Sequence, residues 1–192
     1  TVPDKYFDLA IVDPPYGIGV SKMAYLQENK TTVKQKNGNR LKPRKTLYKK
    51  SDWDASVPSQ EYFNELFRVS KNQIIWGIEY FDLGGIGGGL IKWDKCVPQK
   101  LSFKKYELAY CSIIEHTEDF VFLCSGFNIG INLRHPKAAQ KNMKLVEQRI
   151  HPTQKPIALY EWLLKNYAKP NDKILDTHLG SGSSRIAAYK LG

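Results

Sequence analysis

The chain has 192 residues, of which 42% are hydrophobic, and its 29 Lys and Arg outnumber its 19 Asp and Glu to give a formal charge of +10. A chain of this length and composition can bury the core of one globular domain of ordinary size. No apolar run is long enough to cross a bilayer, which excludes a membrane-spanning protein. We therefore expect residues 1–192 to form a single domain with no membrane partner.

The cysteines at positions 96, 111 and 124 are odd in number and widely spaced. This pattern indicates reduced thiols, and hence a cytoplasmic location, rather than a disulfide framework. The four histidines show no ligand spacing with these cysteines, so we predict no metal site.

The first predicted element is a strand over residues 7–12, because residues 9–12 form a continuous apolar run. It delivers Asp13, Pro14, Pro15 and Tyr16, here called the tetrad, to the edge of a sheet. Asp13 and the Pro14 carbonyl can each accept a hydrogen from an exocyclic amine, while the prolines stiffen the backbone and offer no competing N–H group. Tyr16 can stack on a flat base. These four residues are the predicted catalytic residues; a plain strand-ending turn is the alternative.

Residues 21–50, here called the basic segment, carry ten Lys and Arg against Glu28 alone, and so hold +9 of the total charge of +10. Little apolar periodicity predicts a long mobile loop, and a solvated charged surface is the simplest interpretation. Its position directly after the tetrad favours an arm that binds nucleic-acid phosphates. The predicted contacts are Lys34, Lys36, Arg40, Lys42, Arg44 and Lys45.

Helix and strand patterns alternate through the middle of the chain. The predicted elements are a helix over 60–69, a strand over 73–76, a short helical piece near 78–82, and strands over 90–93, 107–112 and 119–124. Such alternation predicts an α/β fold with a doubly wound sheet and ligand sites at the carboxyl ends of its strands. Residues 125–150 are polar and basic, and are a short candidate region for target recognition.

Residues 151–156 read His-Pro-Thr-Gln-Lys-Pro, and Pro156 is well suited to open a helix whose apolar positions begin at Ile157. Lys155 then lies at a helix start, where the helix dipole makes a purely structural lysine unexpected. A solvated turn is the simple alternative. We predict instead that Lys155 binds a carboxylate of a bound ligand.

A strand, a glycine-rich turn and a helix are predicted from residue 173 onward. Gly180, Ser181 and Gly182, here called the glycine turn, let the backbone approach a ligand closely, and a helix starts near Ser183. Asp176 can bind an ammonium group, so the region suits a zwitterionic amino-acid ligand. The spacing does not fit a dinucleotide fingerprint or a P-loop, and a plain strand–helix turn is the alternative. Asp13 and Asp176 are expected on neighbouring central strands, which would bring both ligands into one crevice.

Together, the tetrad, the motif at 151–156 and the run from Asp176 to Ser183 resemble the β-class DNA amino-methyltransferases, in which the catalytic motif also precedes the donor motif. The resemblance implies a Rossmann-like sheet that uses S-adenosylmethionine to methylate the N6 amine of an adenine flipped out of double-stranded DNA. Thr177 and His178 depart from the family's usual Pro and Phe. The family also continues into a further strand with an acidic residue, so we expect this chain to be part of a longer polypeptide.

Several alternatives stay open at this point. The acceptor could be the N4 amine of cytosine, RNA or a glutamine side-chain amide, since each offers a planar conjugated nitrogen. The chain could also be a non-catalytic fragment that only binds nucleic acid. The oligomeric state, with a homodimer as one alternative, and any paired nuclease of a restriction–modification system are not decided by the sequence.

Overall fold

The computed structural model of the protein describes residues 2–20, 33–34, 40–41, 52–97, 104–125, 128–129, 147, 150–151 and 153–192. The strands are β1 (Phe7–Val12), β2 (Val33–Lys34), β3 (Arg40–Leu41), β4 (Ser70–Trp76), β5 (Gly89–Asp94), β6 (Tyr106–Cys111), β7 (Thr117–Val121), β8 (Cys124–Ser125), β9 (Asn128–Ile129) and β10 (Ile174–Leu175). The helices are α1 (Gln60–Val69), α2 (Ile157–Tyr167) and α3 (Ser183–Leu191), with a short 3-10 helix at Ile78–Tyr80.

Six strands of the described part of the chain form one mixed sheet, in the order β10-β1-β4-β6-β5-β7. β1 pairs in parallel with both β10 and β4, with Leu9 opposite Ile174 and Val12 opposite Ile75. β6 runs antiparallel to β4 and β5, and β7 is parallel to β5. The carboxyl ends of β10, β1 and β4 therefore meet at one edge of the sheet, where ligand sites of such folds lie.

Helices cover both faces of this sheet. On one face, Leu9 of β1 belongs to a buried cluster with Leu163 of α2 and Ala187 of α3. On the other face, Val12 of β1 belongs to a cluster with Phe63 of α1. Successive residues of a strand point to opposite faces, so the continuous apolar run of β1 is buried on both sides. The predicted doubly wound α/β class is confirmed.

Two strands differ from their predicted bounds by three residues at one end, and β5 and β6 differ by one residue at each end. β4 begins at Ser70 rather than 73, because the polar residues at its start pair with the beginning of β1. The strand predicted over 119–124 is β7, which ends at Val121; the chain then leaves the sheet, and β8 pairs with β9 in a separate antiparallel ladder.

β10 takes a different place from the one that the sequence predicts. It is the neighbour of β1, as expected, but it lies at an edge of the described sheet rather than at its centre. The correction leaves the relation between the two aspartates intact, since both strands still end at the same side.

Most of the basic segment and of residues 125–150 lies outside the described residues. Where the sequence predicted only loop, β2 and β3 form a short antiparallel pair, with Val33 opposite Leu41. The division of the chain into one domain with a recognition region stays a prediction.

Candidate active site

Asp13 directly follows β1, at the edge where the parallel strands end. Its Oδ1 atom accepts a 2.8 Å hydrogen bond from the hydroxyl of Tyr16 and lies 2.5 Å from the Nζ atom of Lys155. Lys155 also donates a 3.1 Å hydrogen bond to the Tyr16 hydroxyl. Fold topology thus joins the tetrad and the motif at 151–156 in one hydrogen-bonded triangle.

The ring of Tyr16 lies flat against the ring of Tyr80, with centroids 4.8 Å apart and planes inclined by 11°. Gly77 makes this position available: its φ is +78°, and a Cβ atom there would stand 2.1 Å from Cε1 of Tyr16. Burial and the Asp13 carboxylate raise the pKa of Tyr16 well above its usual value, so the phenol keeps its proton. Stacking of Tyr16 on a base stays a prediction, since Tyr80 covers one face of the ring.

Lys155 is 5% exposed, and its ammonium group forms a second ion pair, at 3.1 Å, with Glu107 of β6. Glu107 in turn pairs with Lys95. Burial acts to lower the pKa of Lys155, but the carboxylates of Asp13 and Glu107 favour the charged form and raise it. Burial likewise acts to raise the pKa of Glu107, yet Lys155 and Lys95 lower it to about 2. The site therefore holds a chain of alternating charges that ends at Asp13.

The sequence predicts that Lys155 binds the carboxylate of the donor, but in the structure its ammonium group faces the carboxylates of Asp13 and Glu107. A role toward the donor stays a prediction. Glu107 is not among the predicted site residues. The sequence does contain a signal for Glu107, because an acidic residue within a largely buried strand needs a charged or hydrogen-bonding partner.

Glu147, also absent from the predicted site, holds the segment that carries Lys155. One of its carboxylate oxygens accepts a 2.7 Å hydrogen bond from Nε2 of Gln154, and the other accepts the backbone N–H of Ile157 at 2.9 Å. Gln154 is buried, and its Oε1 atom accepts the backbone N–H of Ile150 at 2.8 Å. Glu147 therefore supplies the first turn of α2 with an acceptor that its own helix lacks. Nothing in the local sequence pattern indicates this long-range cap.

Asp176 directly follows β10, beside the strand that ends at Asp13. One of its oxygens accepts the backbone N–H of His178 at 2.9 Å, and the other accepts the hydroxyl of Ser184 at 2.5 Å. Gly182 forms the N-cap of α3 with a left-handed φ of 74°. The strand, the glycine turn and the helix start all lie where the sequence predicts them, whereas the roles of Asp176, Gly180, Ser181 and Gly182 in donor binding stay predictions.

Thr177 and His178, which depart from the family's usual residues, are held by α1. The hydroxyl of Tyr62 lies 2.7 Å from Oγ1 of Thr177, which lies 2.9 Å from Nδ1 of His178. The Tyr62 and His178 rings meet edge to face at 5.5 Å. Burial lowers the pKa of His178, so its imidazole is neutral near pH 7.

Two of the six predicted DNA contacts belong to described strands, and four lie outside the described residues. Lys34 and Arg40 face each other across the β2–β3 pair, where the backbone alone is described. The others, Lys36, Lys42, Arg44 and Lys45, lie outside the described residues. Their contact with DNA stays a prediction.

No helix in the described ranges combines the length and the apolar character that crossing a bilayer requires. In the same residues, no group of three or more His, Cys, Asp or Glu side chains is arranged to hold a metal ion.

Three comparisons relate the chain to known proteins. The model of the N6/N4 DNA methylase family matches residues 22–192 of the chain, a span that begins after the tetrad and includes residues 151–156 and the glycine turn. The chain is 22% identical over 195 residues to YubD of Escherichia coli (strain K12), which is provisionally named a methylase; the match covers 100% of this chain and 75% of YubD. A crystal structure of M1.HpyAVI in complex with SAM is similar at a TM-score of 0.47, with 19% identity over 97% of this chain and 79% of that one. Because the family model spans most of the sequence, the chain belongs to the N6/N4 DNA methylase family.

Proposed function

We propose that this protein transfers the methyl group of S-adenosylmethionine to the N6 amine of adenine in double-stranded DNA. The observation that carries the proposal is the shared edge of the sheet: Asp13 and Asp176 follow two adjacent parallel strands, β1 and β10. An acceptor held by Asp13 and a donor held by Asp176 would then lie side by side. Proximity of this kind supplies much of the rate in a transfer that needs no covalent enzyme intermediate.

The tetrad suits an exocyclic amine as the acceptor. The lone pair of that nitrogen is delocalised into the ring, so the nitrogen must become pyramidal to attack a methyl group. Asp13 and the carbonyl oxygen of Pro14 would accept its two hydrogens and stabilise the positive charge that builds there. The N–C bond forms as the sulfonium carbon–sulfur bond breaks, and the nitrogen then loses one proton. Target bases that must be reached in this way are flipped out of the duplex.

Lys155 and Tyr16 keep Asp13 ready for this role. The Lys155 ammonium group lies 2.5 Å from Oδ1 of Asp13 and pairs with its carboxylate, which can accept hydrogens on both oxygens. The Tyr16 hydroxyl donates to Oδ1 and so fixes the orientation of the carboxylate. Lys155 in turn pairs with Glu107, and the ring of Tyr16 stacks on the ring of Tyr80.

The residues on the donor side fit S-adenosylmethionine, which the family uses as its methyl donor. The carboxylate of Asp176 accepts one hydrogen bond from its own turn and one from Ser184 of α3, and two further lone-pair positions remain for an ammonium group. No described atom lies within 4 Å of the position that a Cβ atom on Gly182 would take, which leaves the backbone open to a ligand. The first N–H groups of α3 face the same turn and suit a carboxylate.

The experiment is transfer of tritium from labelled S-adenosylmethionine to unmethylated duplex DNA by the protein, followed by mass spectrometry of the nucleosides. We expect N6-methyladenine, and a loss of at least about a hundredfold in rate for Asp13→Ala. Asp8→Ala is the matched control, because Asp8 lies on the same strand and pairs with Lys71 instead. N4-methylcytosine as the product would replace the proposed substrate, and 5-methylcytosine would exclude the amine mechanism.

A further inference from the structure

Asp54 is a buried carboxylate that the mechanism above does not use. Its side chain is 2% exposed and reaches back to the residues that follow Asp13 in the chain. Its Oδ1 atom accepts the backbone N–H groups of Tyr16 at 2.9 Å and Gly17 at 3.0 Å, and its Oδ2 atom accepts that of Val20 at 2.8 Å. Asp54 therefore binds the backbone at three points within five residues.

This stretch of chain belongs to no strand, so its N–H groups have no ladder in which to pair. The Asp54 carboxylate instead supplies the acceptors that a neighbouring strand would provide. Hydrogen bonds to an ionised acceptor are about twice as strong as neutral ones, so three of them hold the path of the chain firmly. The first of them is made by Tyr16 itself, whose hydroxyl donates to Asp13.

The turn that carries Asp54 also touches the second motif of the site. The ring of Trp53 lies 5.2 Å from the ring of His151, with the planes inclined by 48°. His151 opens the motif that supplies Lys155. Asp54 thus binds the backbone of the tetrad, and its neighbour Trp53 contacts the motif that supplies Lys155.

Asp54 is also close in sequence to the end of the basic segment. Val20, which donates to Oδ2, directly precedes that segment, and Asp54 follows its end by four residues. The carboxylate consequently links Val20, the residue before the basic segment, to the backbone of Tyr16.

We propose that Asp54 is a positioning residue: it sets the backbone of Tyr16 so that the Tyr16 hydroxyl and Asp13 keep their mutual geometry. The effect on turnover rests on the methyl transfer proposed above, whereas the anchoring of the backbone does not. Loss of the carboxylate should therefore lower the rate of the chemical step and leave donor binding unchanged, because Asp176 and the glycine turn make no use of it.

The test is Asp54→Asn, in which an amide nitrogen replaces one acceptor oxygen and the remaining oxygen is neutral, so that it accepts the backbone N–H groups, including that of Tyr16, more weakly. We expect kcat per donor-binding site, counted by calorimetry, to fall about tenfold, with the KM for S-adenosylmethionine changed by less than about twofold. Asp8→Asn is the matched control, since Asp8 also accepts a backbone N–H group, that of Lys173 at 2.9 Å, at the opposite end of β1. An unchanged kcat in Asp54→Asn, or an equal loss in Asp8→Asn, would overturn the role in positioning.

Amide hydrogen exchange tests the contact without any activity. In the wild type, the amides of Tyr16, Gly17 and Val20 should exchange about a hundredfold more slowly than in an unstructured chain, and faster in Asp54→Asn than in Asp8→Asn. Rapid exchange at these amides in the wild type would refute the proposal even if the Asp54 variant did not fold. A wild type that protects these amides but transfers no methyl group would instead contradict the proposed function alone.

Discussion

Glu107 shows how single residues set the electrostatics of the site. It is buried between Lys95 and Lys155, which lower its pKa from 4.5 to about 2. A carboxyl group whose pKa is lower in the folded than in the unfolded chain stabilises the fold above the unfolded value, and this stability is lost as the pH falls through the folded one. Glu107 therefore stabilises the folded chain fully above about pH 4.5, and its contribution declines between there and about pH 2.

This predicts the behaviour of Glu107→Gln. At pH 7 the variant removes the carboxylate that pairs with the half-buried Lys95 and the buried Lys155, and it should lose about 3–5 kcal/mol of unfolding free energy. Its deficit relative to the wild type should shrink as the pH falls from 4.5 toward 2. Urea unfolding at a series of pH values measures both effects. Glu161→Gln is the control, because Glu161 pairs with the exposed Lys190 and should change little; a constant deficit for Glu107→Gln would contradict the prediction.

The sequence identifies residues of the site better than it identifies the contacts between them. The tetrad could be named because its residue types and their order carry the chemistry themselves. The ion pair between Asp13 and Lys155 could not, since it depends on where β1 and the start of α2 meet in space. Asp54 was missed for the same reason: an aspartate in a turn is common, and only the fold turns its oxygens toward Tyr16.

Among the secondary-structure elements, the end of β4 has the clearest consequence for the site. Gly77 follows the strand in a left-handed conformation, and its lack of a side chain leaves room for the ring of Tyr16. Gly84 has a similar φ of +72°, but no described atom lies within 4 Å of the position that its Cβ would take. An alanine would be strained by the backbone at either position, but only at Gly77 would its methyl group also meet another described side chain.

Alanine at each position separates the two effects. Gly84→Ala should cost about 1 kcal/mol of unfolding free energy, from the strained backbone alone. Gly77→Ala should cost about 2–3 kcal/mol more, because its methyl group meets the Tyr16 ring, and it should also lower methyl transfer. Urea unfolding and the tritium assay measure these losses. Equal losses of stability and of methyl transfer in both variants would contradict the role of Gly77 in leaving room for the Tyr16 ring.

Secondary structure was predictable where apolar runs are continuous, as in β1, or periodic, as in α1. The start of β4 was not, because Ser70 and Lys71 are polar and pair with β1 for reasons that lie outside their own sequence. The short pair of β2 and β3 was missed because two-residue strands leave no pattern to detect.

For the whole molecule, the uneven charge is the property with the most direct consequence. The basic segment holds nearly all of the net charge of +10. If it binds DNA phosphates, the logarithm of the affinity should fall linearly with the logarithm of the salt concentration, by about 0.9 per phosphate contact. The family identity and the fold class followed from the sequence, but this surface depends on residues that no motif specifies.

Glutamine at the six predicted contacts should therefore reduce the salt slope of DNA binding by up to about 5. The altered residues are Lys34, Lys36, Arg40, Lys42, Arg44 and Lys45. The control replaces six basic residues of the described elements and turns, namely Lys71, Lys92, Lys165, Lys169, Lys173 and Lys190. Fluorescence anisotropy over a salt series measures the slopes, and the same slope in both variants would show that the basic segment does not contact DNA.

The pairing of β1 with β10 also governs when the site can assemble. A ribosome releases residues 7–12 long before residues 174–175, so the side of β1 that pairs with β10 stays unpaired until then. A chain cut short before residue 174 would carry Asp13 without Asp176. The edge of the sheet that holds both aspartates therefore assembles only after β10 has emerged and paired with β1.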